Sequence, residues 1–94
     1  MSKRDYQTLR SLLLELETFP HHYVHKLIGK NSPSFLAAVK EMEIHFKQLT
    51  ERSRRQTASG SHIALTFEFL AANVDEIIDL LRYTDGLPDL QVVL

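Results

Sequence analysis

Three imidazoles stand within five positions of the stretch FPHHYVHKLIG, at His21, His22 and His25. Two chemistries suit histidines so close together: coordination of a metal through neutral ring nitrogens, and proton transfer near neutral pH. Helical winding would bring His21 and His25 onto one face, the spacing of a zincin pair, but no glutamate stands between them and no third ligand is evident. Extended backbone would send His21 and His25 to one side and His22 to the other, so three ligands would not converge without a bend. The pattern therefore predicts no metal site and no catalytic residue, and gives the histidines a surface or half-buried structural role. His45 and His62 add titratable groups without completing a constellation. A histidine-based metal protein or small enzyme stands as the rival reading.

A second group with chemistry is Arg52, Arg54 and Arg55 in the polar run TERSRRQTA. Clustered arginines suit phosphate or nucleic acid, and a four-stranded sheet backed by two helices is also the plan of the RNA-recognition motif. That module stacks bases on aromatics of its open face. Here Phe67 and Phe69 alternate in step with Ile63 and Leu65, which makes them core, while the opposite side offers His62, Ala64, Thr66 and Glu68. With the stacking platform missing, nucleic acid is not the expected partner, and the arginines read as a solvated edge that discourages aggregation.

The elements that must position these groups follow from periodicity. Asp5 is a candidate cap for an added helix over residues 6–17, with Tyr6, Leu9, Leu12 or Leu13, and Leu16 as its apolar stripe. Phe19-Pro20 ends it, because the residue before proline is pushed out of the α region. Residues 23–28 alternate as a strand, with Tyr23, His25 and Leu27 on one side and Val24, Lys26 and Ile28 on the other. Ser32 then caps a helix with Pro33 at its first position, and Phe35, Val39, Met42, Phe46 and Leu49 carry its inner face to about residue 49. Residues 50–58 form an edge strand, Ser59-Gly60-Ser61 a hairpin turn, and Ile63 to Phe69 a half-buried strand. Asn73 and Glu76 open a further helix as a capping box, Asp85-Gly86-Leu87-Pro88 closes it, and LQVVL ends as a strand.

Without the first helix the order is βαββαβ, and two right-handed crossovers place both helices on one face of an antiparallel sheet. The predicted fold class is α+β, a ferredoxin-like two-layer sandwich with strand order 4-1-3-2, one domain over residues 1–94 with its core in 21–94. One face of such a sheet stays bare, and Val24, Ile28, Ala64 and Val93 are predicted to line it.

Composition sets the remaining bounds. The chain has 94 residues, 44% of them hydrophobic, enough for one modest core. The absence of cysteine excludes disulfides, thiolate metal sites and a cysteine nucleophile. No apolar run reaches the ~20 residues that span a bilayer, and MSKRDYQTLR lacks a secretory apolar region, so no membrane association and a cytoplasmic location are expected. Net charge is −1, yet Arg82 is the only Lys or Arg in residues 59–94, which hold six carboxylates.

The stretches FPHHYVHKLIG, SGSHIALTFEF and DLQVVL resemble the YbeD-like family of small bacterial proteins of unknown function, whose fold is similar to the ACT regulatory domains. Phe19-Pro20, Lys26 and Gly29 match the family's opening pattern, Gly60 its hairpin, and Val93-Leu94 its last strand. The long first helix and the basic edge depart from it, as do the histidines. The resemblance implies a regulatory or interaction module without catalysis and without a cofactor. It also makes Gly29, Asn31 and Ser32 candidate ligand-binding residues, since the corresponding loop of ACT-like domains offers backbone N–H groups and a helix N-terminus to a small anion. The leucine stripe of the added helix must be buried somewhere: over the bare sheet face, as an extension of the helical layer, or on another chain, the last giving a homodimer or a complex with a protein partner, as ACT-like domains pair. Its mechanism would be a two-state preference biased by that partner or ligand, worth about 1–3 kcal/mol.

Overall fold

The computed structural model describes residues 4–94, and each of its helices starts on a side-chain oxygen. Asp5 Oδ1 accepts from Thr8 N–H at 3.0 Å and launches α1 (Tyr6–Leu16). Ser32 Oγ accepts from Phe35 N–H at 3.1 Å ahead of α2 (Pro33–His45), and Asn73 Oδ1 accepts from Glu76 N–H at 3.2 Å ahead of α3 (Val74–Asp85). The Glu76 carboxylate reaches back to Ala72 N–H at 2.7 Å, one residue before the cap, so the box is widened by one position.

The strands are β1 (His21–Lys30), β2 (Thr50–Gln56), β3 (His62–Ala71) and β4 (Leu90–Val93). They form one antiparallel sheet in the order β2-β3-β1-β4, the predicted order read from the other edge. The fold is ferredoxin-like α+β with an additional N-terminal helix. β1 and β3 pair along their full lengths, from His21 opposite Ala71 to Lys30 opposite His62.

Strand alternation drives one face inward. Leu27 of β1 and Ile63, Leu65 and Phe67 of β3 are buried against Phe35, Val39 and Met42 of α2 and Ile77 and Leu80 of α3. Each such aliphatic or aromatic side chain contributes about 1.5–3 kcal/mol when fully removed from water. Gly29 belongs to this packing: a Cβ there would sit 2.5 Å from the Phe35 ring, so the ring occupies the space that a side chain would need.

Several boundaries differ from the periodicity. α2 stops at His45 rather than about residue 49, because Phe46 leaves helical geometry while donating to Met42 O at 2.8 Å. Leu49 N–H then bonds Phe46 O at 3.1 Å in a turn. Phe46 is buried and Leu49 packs against the core, so apolar spacing persisted past the helix end. β1 and β3 each extend beyond the predicted limits, because their pairing continues to His21 opposite Ala71 at one end and Lys30 opposite His62 at the other. The expected place of Val93 on the bare face is also corrected. β4 shifts register between Ile28 and Gly29, which puts Val93 opposite Leu27 and toward the core and leaves Val92 opposite Ile28 on the outside. Val24, Ile28 and Ala64 occupy the uncovered face as their alternation requires.

α1 extends the helical layer and lies against α3. Asp85 near the end of α3 takes two hydrogen bonds from Arg4, at 2.8 and 3.0 Å, and one from the Tyr6 hydroxyl. The Arg82 guanidinium lies 4.4 Å from the Tyr6 ring centroid, a cation–π contact. Tyr6, Leu9 and Leu13 pack partly against the core, and no α1 side chain is fully buried. Leu16, placed in the predicted stripe, is 74% exposed.

Candidate functional site

Strand geometry gives the three clustered histidines three different surroundings. His21 Nδ1 lies 3.2 Å from Glu17 Oε2, with Phe19 edge-on to its ring. His22 points to the open face, its Nε2 3.3 Å from Glu68 Oε2. His25 turns inward and is fully buried, which corrects the expected surface or half-buried role. Its Nε2 is 2.9 Å from Thr84 Oγ1, and the Thr84 hydroxyl donates to Leu80 O at 2.7 Å, so the threonine accepts and His25 carries its proton on Nε2. Nδ1 is then a buried acceptor with no partner among the described residues. Burial, and secondarily the Arg4 charge, lower the His25 pKa to about 4. Among the described residues no three histidine, aspartate or glutamate side chains form a group that could hold a metal ion.

The loop before α2 brings Gly29, Asn31 and Ser32 together, but each already has a structural task. Gly29 makes room for Phe35. Asn31 donates through Nδ2 to Gly60 O at 3.0 Å and through its backbone to Ser61 O at 3.0 Å, tying the loop to the β2–β3 hairpin. Ser32 caps α2 and also donates to Asp89 Oδ2 at 2.6 Å, with Ser34 Oγ at 3.4 Å from the same oxygen. The negative group at the start of α2 is thus the chain's own carboxylate, held there by a residue in the left-handed region at φ 62°. Sequence reasoning missed Asp89; its place after Pro88, ahead of the last strand, was the available signal.

The arginines divide between the two faces. Arg54 lies opposite Leu65 on the helical side, bonded to Glu51 Oε1 at 2.8 Å, and this contact holds the Glu51 carboxyl below its usual range. Arg52 reaches Glu68 Oε1 at 2.6 Å, and Arg55 pairs with Ala64; both belong to the open face.

The fold leaves that open face of the sheet uncovered by any helix among the described residues. Val24, Leu70, Val92 and Leu94, four of the eight exposed large hydrophobic residues, lie on it or at its edge, with Ile28 and Ala64 between them. A shallow groove of about 220 Å³ crosses the middle, bordered by Lys26, Ile28, Arg55, Ala64, Thr66 and Leu94. No helix among the described residues is long and apolar enough to cross a membrane.

The strand order and the two helices on one face of the sheet define a small ferredoxin-like α+β domain with an additional N-terminal helix. A family profile described as "Protein of unknown function (DUF493)" matches residues 15–94, and the chain belongs to that family. No curated protein and no solved structure matches the chain.

Proposed function

We propose that this protein is a non-catalytic interaction module whose working surface is the open face of the sheet. The observation that carries the reading is the concentration of aliphatic side chains on that face, where water contact is unfavourable and a partner would relieve it. The finer description as a YbeD-like, ACT-like regulatory domain rests on the FPHHYVHKLIG, SGSHIALTFEF and DLQVVL stretches and on the strand order. Between a protein partner and a small anion at Gly29, Asn31 and Ser32, the geometry favours the protein, because Asp89 already fills the position that the anion would take.

The test is a photo-crosslinking amino acid placed at Val24 on the open face and, as a control, at Ile44, which is 63% exposed on α2. In the native cell the Val24 position yields a discrete cross-linked product and the Ile44 position does not. Equal products from both positions, or none from Val24, would refute the reading.

A further inference from the structure

The open face has a charge as well as an apolar character, and the two together define its partner. Lys26, Lys30, Arg52 and Arg55 project from it, against Glu68 as the one acidic side chain among the described residues of its strands. Glu68 is engaged by Arg52 and His22, and among the described residues Lys26, Lys30 and Arg55 form no ion pair. Lys26 and Arg55 line the groove together with Ile28 and Ala64.

Resting on the interaction reading above, we infer that this face binds an acidic amphipathic helix of another protein, its apolar side on Ile28, Ala64 and Val92 and its carboxylates toward Lys26, Lys30 and Arg55. Three alternatives fit less well. A second copy docked face to face would oppose two surfaces of the same net positive charge, four basic side chains against one acidic one on each. Nucleic acid would meet the cations but waste the aliphatic centre, for the face has no phenylalanine, tyrosine or tryptophan on which a base would stack. A purely acidic, flexible segment would use the cations and leave the aliphatic groove in water. A helix with apolar residues at three- and four-residue steps and glutamates beside them satisfies both features.

The experiment uses the full chain and a synthetic helical peptide of about 18 residues, about 27 Å long at the α-helical rise, with leucines at helical spacing and glutamates elsewhere. The comparisons are a scrambled peptide of the same composition, polyglutamate and a random single-stranded RNA, each followed by fluorescence anisotropy and by amide chemical-shift mapping. The amphipathic peptide binds at least tenfold more tightly than any of the three, and the shifts centre on Lys26, Ile28, Ala64 and Thr66. Lys26→Glu with Arg55→Glu weakens it at least tenfold, whereas the charge-matched change Lys40→Glu with Lys47→Glu leaves it within about twofold. Binding of polyglutamate or RNA as tight as that of the peptide, shifts centred on α2, or self-association through this face would overturn the inference. If the peptide fails while cross-links from Val24 persist, the acidic chemistry is wrong and the interaction reading stands.

Discussion

The buried imidazole of His25 ties the stability of the protein to pH in a calculable way. In the folded chain its pKa is lowered to about 4 from the ordinary 6.5, burial being the larger cause and the Arg4 charge the next. At about 1.4 kcal/mol per pH unit, that difference corresponds to about 3 kcal/mol. The sign follows from proton counting: between the two values the unfolded chain binds the proton and the folded chain does not, so stability rises with pH. The contribution is complete above pH 6.5, declines as the pH falls toward 4, and at pH 5 has cost about 2 kcal/mol relative to pH 8. Urea titrations at pH 5, 6, 7 and 8 read this directly when run beside His25→Gln, which keeps an N–H donor for Thr84 and does not titrate. The wild type loses about 2 kcal/mol more than the variant over that range, by the same linkage. Parallel curves for the two proteins, or a His25 ring that titrates near 6.5 by NMR, would show that the reasoning is wrong.

Other perturbations probe separate parts of the structure. Gly29→Ala forces the Phe35 ring to move and destabilises the fold by about 1–3 kcal/mol, read as a lower urea midpoint at unchanged slope. Ser32→Ala removes the α2 cap and a partner of Asp89, costing about 1 kcal/mol in the same assay. Asp85→Asn weakens the attachment of α1; because Arg4 and Asp85 are partly exposed, the cost is about 0.5–1 kcal/mol, seen as faster amide exchange in α1 with β1 and β3 unchanged. Phe67→Ala opens a cavity in the centre of the sheet and costs about 3–5 kcal/mol, measured by thermal unfolding.

The architecture was legible because local signals and burial agree over most of the chain. Alternation in β3 and the caps at Asp5, Ser32 and Asn73 each reported a real element. Where they failed, a tertiary term intervened. The apolar steps through Phe46 and Leu49 could not show that the helix ends while both residues remain inward, since burial does not require helical backbone. Val93 was misplaced because a one-residue bulge exchanges the faces of a strand, and nothing in QVVL marks it. His25 was readable in part: it alternated with Tyr23 and Leu27, and Thr84 falls among the inner positions of α3, yet a polar pair buried between two elements emerges only when they meet. The bare face was visible as a pattern, but its charge depended on the register that sends Arg55 one way and Arg54 the other.

α1 packs against the core through Tyr6, Leu9 and Leu13 with none of its own side chains fully buried, and the family profile begins only in its last turn, at residue 15. An element with that status is an appendage in engineering terms. Trimming it, lengthening it or joining it to a reporter is expected to cost only its few partly covered side chains and the ion pairs Arg10–Asp75 and, just before the helix, Arg4–Asp85, with the unfolding of the sheet and its two other helices still cooperative.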